Sequence, residues 1–395
     1  MRKRICILSF SPINRDARVL RQIKYLSKDY DLNVIGYGEP DPYWENVQNI
    51  KWHVLQMPVS PWIEKLKGLM LLTLGRLKTS FYDRWYWRKG HHRLALDIAT
   101  ANKCDAYHAN DWEALPVAAE ASEKTNARLV FDAHEYAPLE LENRWYWKPF
   151  FQQAIIYFIK KYASQVSASM TVAPLISIRY SKEFMLHPIV VFNTPEYVPL
   201  PTRKADFAHI RLIHHGGAIR DRKLEGLIET IALCDSRYSL HFMLLNNDTS
   251  YSKHLKKLAN ELAPGRITFH HPVKPEEIVR RISEYDIGFY LLEPNSYNNI
   301  VALPNKFFDY ILAGLAVCIG PSPSMVEIVR KYGLGCVAPS FNPHDVADLL
   351  NNLTGDQLSI MRLASQRAAQ EINADKEMDK LLKLYDQLFA FRREP

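Results

Sequence analysis

The chain has 395 residues and a mass of 45.8 kDa, more than one hydrophobic core usually serves, so two domains are expected. Its five cysteines are scattered and odd in number, which favours reduced thiols in the cytoplasm and argues against a disulfide framework. No run approaches the about 18 apolar residues of a spanning helix, which argues against an integral membrane protein. The formal net charge of +7 is mild, but it is unevenly distributed.

Alternating strand and helix patterns run along the whole chain and predict parallel α/β architecture. Ile5 to Phe10 is predicted as a buried strand and Leu32 to Tyr37 as the next, with a helical stripe of apolar residues between them. The turn after the first strand lacks the GxGxxG fingerprint, which counts against NAD or FAD. Asp16 suits the N-cap of the first helix, and Arg18 stands at a helix start, where an anionic partner would stabilise it.

Residues 62–93 combine basic and aromatic side chains. Eight Lys or Arg stand there against two acids, a net charge of 8 − 2 = +6, together with six Trp, Tyr or Phe. A second such segment spans residues 144–161. Aromatic and basic residues together favour a peripheral membrane surface. Core helices with extended lysine side chains would give the same pattern, and nucleic-acid binding is disfavoured because no RNA or DNA module accompanies it.

Further strands are predicted at Ala106 to His108 and at Arg128 to Phe131, and the polar sequence Phe131-Asp132-Ala133-His134-Glu135-Tyr136 ends the second of them. Ligands of open α/β sheets bind at the carboxyl ends of the strands, so His134 is a candidate site residue. The alternative is a histidine that is hydrogen-bonded to Asp132 or Glu135 in an ordinary loop.

Three prolines within seven residues, Pro195, Pro199 and Pro201, predict a domain seam. The expected domains are 1–197 and 198–374, followed by a terminal segment, 375–395, with apolar residues at helical spacing. Five strands are predicted in the second domain: Ile210 to His214, Leu240 to Leu245, Ile267 to His270, Ile287 to Leu291 and Ala316 to Ile319.

The first strand of the second domain runs into Gly216-Gly217-Ala218-Ile219-Arg220-Asp221-Arg222-Lys223. Glycines allow a ligand to approach the backbone, and three cations in four positions can neutralise a diphosphate. A glycine turn followed by a solvated basic cap is the alternative.

Residues 303–314, Leu-Pro-Asn-Lys-Phe-Phe-Asp-Tyr-Ile-Leu-Ala-Gly, contain a helix start, a polar face and a helix stop. Asn305 and Asp309 are four apart and share a face, so a carboxylate lies close to a helix N-terminus. That N-terminus suits a phosphate, and a carboxylate suits the hydroxyls of a ribose. An ordinary surface pair of Lys306 and Asp309 is the alternative.

This helix, with the strand-like sequence that follows it, resembles the nucleotide-sugar site of retaining glycosyltransferases of family four. The resemblance covers almost the whole chain and implies the GT-B fold, two facing Rossmann-like domains with a C-terminal helix that packs back on the first domain. It implies that Asp309 holds the ribose and that Arg222, or else Lys223, holds the β-phosphate. Gly217, Asn305 and Lys306 complete the expected donor-binding set. His134 would contact the donor sugar, and Asp16 and Arg18 would border the acceptor side.

The chain departs from the most familiar pattern of that family at one position. There, a second acid precedes the ribose-binding acid by eight positions, and Val301 stands at this place. A double displacement through this position is therefore disfavoured, and the loop 295–303 is expected to hold the sugar.

The resulting prediction is a retaining glycosyltransferase that moves a sugar from a UDP- or GDP-linked donor to a glycan or lipid-linked acceptor in polysaccharide or cell-envelope synthesis. No metal and no cofactor are expected. The chain is expected in the cytoplasm, peripheral on the membrane through residues 62–93 and 144–161. The alternatives are a nucleotide-sugar epimerase of the same architecture and a non-catalytic homologue that binds nucleotide or membrane.

Overall fold

The computed structural model describes residues 2–45, 47–57, 62–201, 203–245 and 249–390. Two compact units divide the chain. The first comprises Met1–Phe192, Ser296–Asn298 and Met378–Pro395, and the second comprises Asn193–Asn295 and Asn299–Glu377. Residues 391–395 of the predicted terminal segment lie outside the described residues.

The first unit is built on a parallel sheet that has seven strands within the described residues, in the order β3-β2-β1-β4-β5-β6-β7. Its strands are β1 (Arg4–Pro12), β2 (Asp31–Tyr37), β3 (Ile50–Leu55), β4 (Ala106–Asn110), β5 (Arg128–Ala133), β6 (Ala168–Thr171) and β7 (Ile189–Val190). Its helices are α1 (Ala17–Leu26), α2 (Pro42–Glu45), α3 (Trp62–Gly75), α4 (Ser80–Trp87), α5 (Gly90–Ala101), α6 (Asp111–Thr125), α7 (Gln153–Ala163) and α8 (Pro174–Phe184).

The second unit has a parallel sheet of six strands, counted over the described part of the chain, in the order β10-β9-β8-β11-β12-β13. Its strands are β8 (Ile210–Gly217), β9 (Tyr238–Leu245), β10 (Ile267–His270), β11 (Ile287–Tyr290), β12 (Ala316–Ile319) and β13 (Gly335–Val337). The remaining helices are α9 (Glu225–Leu233), α10 (Ser250–Leu262), α11 (Ile278–Ile282), α12 (Tyr297–Val301), α13 (Asn305–Leu312), α14 (Pro323–Tyr332), α15 (Pro343–Asn351), α16 (Gly355–Glu371) and α17 (Ala374–Ala390).

The C-terminal helix α17 completes the core of the first unit. Met378, Leu381 and Tyr385 are buried in one apolar cluster with β1 and α1. The hydroxyl of Tyr385 also lies 2.9 Å from Nδ1 of His108 on β4. The predicted packing of the terminal helix on the first domain is therefore confirmed.

All nine strands named in the sequence analysis are present, some of them one to three residues longer. Four others were not predicted: β3, β6, β7 and β13. They have two to six residues, and β3, β7 and β13 lie at the edges of the sheets, where side chains are only partly buried. A partly exposed strand carries polar residues such as Lys51 and His53, which obscure the apolar pattern.

The strand order reverses direction once in each sheet, between β1 and β4 in the first sheet and between β8 and β11 in the second. Loops that leave the carboxyl ends of strands at such a switch point are the usual ligand sites of open α/β sheets. These loops and the helices that follow them carry most of the candidate residues predicted from the sequence.

Candidate functional site

The switch point of the second unit brings several candidate donor residues together. Strand β8 ends in His214-His215-Gly216-Gly217, and α13 begins beside it with Asn305. Gly216 has φ +116, a conformation that L side chains rarely adopt, and a Cβ at this position would lie 3.0 Å from Nζ of Lys306. Glycine is therefore required both by the backbone and by the approach of the lysine.

Lys306 is a buried cation at the start of α13. Its side chain is 6% exposed, with Nζ 3.4 Å from Nε2 of His214 and 4.8 Å from the centre of the Tyr290 ring. Burial, and next the Arg222 guanidinium, lower the pKa of Lys306 well below its ordinary value, and Asp309 offsets this in part. A buried ammonium without a carboxylate in direct contact is unfavourable unless an anion neutralises it.

Arg222 is the second cation at this switch point. It ends a short 3₁₀ turn, Arg220–Arg222, and its Nη1 lies 3.8 Å from the position of a Cβ on residue 216. Lys223, the other candidate for the phosphate, forms an ion pair with Glu293 instead. Over the described residues, no hydrogen bond or ion pair engages the Arg222 guanidinium, so Arg222 is the better placed of the two to bind a phosphate.

Asp309 lies one turn into α13 and is 8% exposed. Its Oδ2 is 3.3 Å from Nε2 of His215, and this nitrogen has no hydrogen-bond partner in the described structure. Asn305, four residues earlier, is exposed, and its Oδ1 accepts a hydrogen bond of 2.8 Å from Nδ2 of Asn193. The predicted set thus lies on one edge of the second unit, with Gly217 at the end of β8.

Val301, at the position of the missing acid, is 2% exposed, and its carbonyl accepts a hydrogen bond from Ser324 Oγ at 2.9 Å. Glu293, another acid of this region, is engaged by Lys223. Among the described residues around this edge, Asp309 is the carboxylate that the geometry places beside Lys306 and His215.

In the first unit, His134 lies among carboxylates at the carboxyl ends of β4 and β5. Its Nδ1 is 3.1 Å from Oδ2 of Asp111, and its Nε2 is 3.3 Å from Oδ2 of Asp132 and 3.1 Å from Oδ1 of Asn110. Burial alone would lower the pKa of His134, but Asp111 and Asp132 outweigh it and raise the pKa well above its ordinary value. His134 is therefore held in one orientation by carboxylates that favour its protonated form, and its side chain is 18% exposed.

Arg18 and Asp16 have internal partners. Arg18 is 2% exposed and forms a bidentate ion pair with Asp132, at 2.7 and 2.8 Å, with a further bond of 2.8 Å to the carbonyl of Val191. Asp16 is the N-cap of α1 and accepts hydrogen bonds from the backbone of Arg18 and Val19 and from Ser11 Oγ. The anion that accompanies Arg18 at the helix start is thus Asp132 of the same chain.

Two more carboxyls near His134, Glu135 and Glu140, have displaced pKa values. Burial, followed by Glu140 and Asp111, raises the pKa of Glu135 to about 8. Burial and then Asp111 raise the pKa of Glu140 to about 7. Asp111 itself has φ +63, which is rare for a residue with a side chain and is typical of functional sites.

The two predicted membrane segments differ in exposure. The side chains of Tyr82, Trp85 and Tyr86 in the first, and of Ile155 and Phe158 in the second, are buried. By contrast, α3 exposes a row of apolar side chains. In the second segment Trp145, just before the π-helical stretch Trp147–Gln152, is 82% exposed. Core packing thus accounts for much of α4 and for the apolar face of α7, and the exposed apolar surface is concentrated on α3. No helix in the described part of the chain is long and apolar enough to cross a membrane.

Several residues of both edges were not singled out from the sequence: His214, His215, Asn110 and Asp111. A signal was available for each pair, because His214-His215 directly precedes the glycines and Asn110-Asp111 directly follows a strand. Polar residues at the end of a strand are the pattern by which His134 was found.

No protein-family model and no curated protein matches the chain. Solved structures match it over nearly its whole length. It is similar to HepE from Anabaena in complex with UDP-glucose, at 15% identity and a TM-score of 0.69, over 98% of this chain and 100% of that one. It is also similar to a glycosyltransferase from Rickettsia africae and to the sucrose-phosphate synthase of Thermosynechococcus elongatus, each at 12% identity, with a TM-score of 0.71 and 98% of this chain covered; the match covers 99% and 100% of those chains.

At these identities the likeness shows the fold. The chain has the GT-B fold that the sequence predicts.

Proposed function

We propose that this protein is a retaining glycosyltransferase that transfers a sugar from a UDP- or GDP-linked donor to a glycan or lipid-linked acceptor. The observation that carries the proposal is the pair of cations at the switch point of the second unit. Lys306 is buried beside Gly216, and Arg222 lies on the same side of that glycine. A diphosphate would neutralise both, and Asp309, one turn into α13, would accept hydrogen bonds from the ribose.

The chemistry of transfer follows from this arrangement. The bond between the anomeric carbon and the β-phosphate oxygen breaks, a bond from the acceptor hydroxyl oxygen to that carbon forms, and the hydroxyl proton leaves with the diphosphate. Negative charge therefore develops on the diphosphate, and preorganised donors lower the barrier when they face that charge. In the proposal these donors are Arg222, Lys306 and the N-terminus of α13, no metal is required, and His134 of the first unit contacts the transferred sugar.

The donor class is supported by the solved neighbours, since HepE was crystallised with UDP, with UDP and glucose, and with UDP-glucose. The first experiment is thermal unfolding of the protein with UDP, GDP, ADP, CMP or NAD, each with EDTA. A nucleotide at a hundred times its dissociation constant adds about 2.7 kcal/mol of stability. A selective shift with UDP or GDP is expected, whereas a shift with NAD alone, or none, would contradict the proposal.

Binding does not establish transfer, so radiolabelled UDP- and GDP-sugars are then incubated with and without membrane extract. Labelled product that depends on the extract supports a transferase. Conversion of the free donor into another nucleotide sugar would identify an epimerase instead. Nucleotide binding without turnover of any donor would identify a non-catalytic homologue, which the apolar Val301 would fit.

A membrane surface is the second part of the proposal. Helix α3 is apolar on nearly all sides, a composition found in helices that are buried or lie in a membrane. Yet Trp62 is 69%, Leu66 55% and Met70 57% exposed. Exposed lysines and arginines border this face: Lys65, Lys67, Arg76 and Lys78. Such a surface favours the interface of an anionic leaflet, where each cation adds about 1 kcal/mol.

Co-sedimentation with vesicles tests this part. Phosphatidylglycerol vesicles are expected to bind the protein, phosphatidylcholine vesicles much less so. The variant Trp62→Ser/Leu66→Ser should lose binding, and Ile360→Ser, which changes a residue 62% exposed on α16, should keep it. Equal loss in both variants, or no binding to anionic vesicles, would refute a membrane role for α3.

A further inference from the structure

Two adjoining cavities of the first unit lie outside the donor site. The first has about 580 Å³ and is mainly apolar; its walls include Gly68, Leu69 and Leu72 of α3, with Trp85, Phe150 and Phe151. The second has about 360 Å³ and a mixed lining, and it is called the polar cavity here for its hydrogen-bonding groups: Ser9, Asn110, Asp111 and Glu140 line it, among others, with the rings of Trp112 and Trp147. Four residues line both cavities: Trp85, Lys89, Glu113 and Phe151.

The polar cavity is suited to a hydroxylated group. Asn110 is 1% exposed, its Oδ1 is engaged by His134, and its Nδ2 is buried without a partner in the described structure. A buried amide donor without an acceptor is costly, and a ligand hydroxyl would satisfy it. Carboxyl oxygens of Asp111 and Glu140 add acceptors, and indole faces such as those of Trp112 and Trp147 give an apolar surface to the C–H face of a sugar ring.

The apolar cavity continues from that group towards the exposed face of α3. One side of α3 lines the cavity through Gly68 and Leu72, while Leu66 and Met70 on the same helix face solvent. Two of the three lysines and arginines that line the cavity are paired, Arg88 with Glu64 at 2.6 Å and Lys89 with Glu113 at 2.7 Å, and the third, Lys65, is exposed to solvent. The walls therefore offer apolar surface rather than net charge, which favours an aliphatic chain over a second polar group.

We propose that the two cavities together bind an amphiphilic acceptor, with its hydroxylated head in the polar cavity and its aliphatic chain in the apolar one. This inference rests on the proposed function and deepens it, because it identifies the acceptor as a lipid-linked sugar rather than a free glycan. The chain enters from the side of α3, the helix whose outer face is exposed and apolar.

Binding of alkyl maltosides tests the chain, with maltose as the probe without one. Octyl, decyl and dodecyl maltoside are titrated below their micelle concentrations, and binding is followed by calorimetry and by tryptophan fluorescence. All eight tryptophans belong to residues 44–147, so the fluorescence reports on the first unit alone. Two added methylenes that become enclosed should tighten binding roughly tenfold, and maltose should bind weakest.

Gly68→Leu is the decisive variant because it fills the apolar cavity. A Cβ at this position first meets Nη1 of Arg88 at 3.1 Å, the end of a flexible side chain, and leucine is a better helix former than glycine. The expected result is loss of the chain-length dependence. Gly90→Leu, at a helical glycine with nothing within 4 Å of a Cβ, is the matched control and should bind like the wild type.

Two further variants locate the ligand. Trp62→Ser/Leu66→Ser changes the outer face of α3 and should leave binding of monomeric dodecyl maltoside unchanged. Asn110→Asp removes the buried amide donor and should weaken binding several-fold without altering the chain-length dependence. The inference would be overturned if binding by Gly68→Leu still depended on chain length. It would also be overturned if Gly90→Leu or Trp62→Ser/Leu66→Ser lost that dependence as fully as Gly68→Leu.

The proposed function is checked separately on the same proteins through the shift in unfolding temperature with UDP. Gly68→Leu should keep the wild-type shift. Absence of any nucleotide effect would refute the transferase while leaving the chain-length result to decide the lipid site, and a normal nucleotide effect without chain-length dependence would refute the lipid site alone.

Discussion

The two switch points of this chain differ in how their charges are satisfied. In the first unit, Arg18, Asp132 and His134 form a closed network in which each charge has an opposite one within 3.3 Å. In the second, Lys306 is buried with a depressed pKa, and Arg222 is the next largest cause of that depression after burial itself. A network in which every charge is paired fixes the positions of its side chains before a ligand binds. Two neighbouring cations repel each other, so they favour binding of an anion. The comparison therefore indicates a positioning role for the first edge and a binding role for the second.

The largest expected effect comes from opening the closed network. Asp132→Asn leaves the Arg18 guanidinium buried without a counter-charge, and loss of one partner of a buried pair typically costs about 3–5 kcal/mol. Urea unfolding followed by tryptophan fluorescence measures this cost in the first unit alone.

The control for this prediction is an exposed pair of the same unit. Lys67→Gln breaks the pair with Glu64, whose two side chains are 61% and 41% exposed, and should cost less than about 1 kcal/mol. If Asp132→Asn unfolds at the same urea concentration as Lys67→Gln, the ion pairs of Asp132 with Arg18 and His134 do not stabilise the first unit.

The second prediction concerns the cations of the other edge. Arg222→Gln and Lys306→Met should each weaken UDP binding by about 1.5–3 kcal/mol, roughly ten- to a hundredfold, because each removes a charged donor to phosphate. Isothermal calorimetry gives the dissociation constants. Lys306→Met should not lower stability, since it replaces a buried, unfavourably placed ammonium by an apolar side chain.

Lys223→Gln is the matched control, because its ammonium is already paired with Glu293. It should bind UDP like the wild type. A loss as large as that of Arg222→Gln would transfer the phosphate contact to Lys223, and normal binding in all three variants would remove the nucleotide from this edge.

The third prediction is a pH dependence of the first unit. Glu135 and Glu140 have pKa values raised to about 8 and about 7 by burial and like charge, against about 4.3 in an unfolded chain. The native state therefore binds more protons, and the stability that these groups contribute is complete below about pH 4 and is lost as the pH rises through about 7 to 8.

Glu135→Gln and Glu140→Gln should flatten that loss. Urea unfolding of the first unit at pH 5, 6.5 and 8 measures the free energy of unfolding. From pH 5 to pH 8 this free energy should fall more in the wild type than in either variant. If the difference in unfolding free energy between wild type and each variant is the same at pH 5 and at pH 8, neither carboxyl holds a proton at neutral pH.

How far the sequence predicts this molecule depends on the range of each interaction. Helix α13 (Asn305–Leu312) lies within the stretch 303–314 that the sequence predicts, because the proline before it and the glycine after it, with φ +69 at Gly314, are local signals. The strands with buried apolar runs were predicted for the same reason, and the short edge strands were missed because their pattern is mixed.

Long-range contacts were out of reach. Arg18 and Asp132 are 114 positions apart, and nothing in either segment indicates that they pair. The burial of Lys306 was likewise invisible, because a lysine beside Asn305 and near Asp309 has the spacing of an exposed pair. The two predicted membrane segments, alike in composition, each divide into buried and exposed parts, and only the packing of the chain shows which residues are buried.

The smallest effect expected is a proton taken up with the nucleotide. In the free protein, burial and then Arg222 hold the pKa of Lys306 well below its ordinary value, which favours the neutral amine. A diphosphate beside Nζ favours the ammonium and raises this pKa, and binding must then take up a fraction of a proton. Calorimetry at pH 8 in Tris and in HEPES, whose ionisation enthalpies differ, gives that fraction from the difference in apparent enthalpy. Lys306→Met should abolish the difference, while Arg222→Gln, with comparable loss of affinity, should retain one. A buffer-independent enthalpy in the wild type would mean that Lys306 is charged before UDP binds, and that the second edge, like the first, already holds its charges in a stable arrangement.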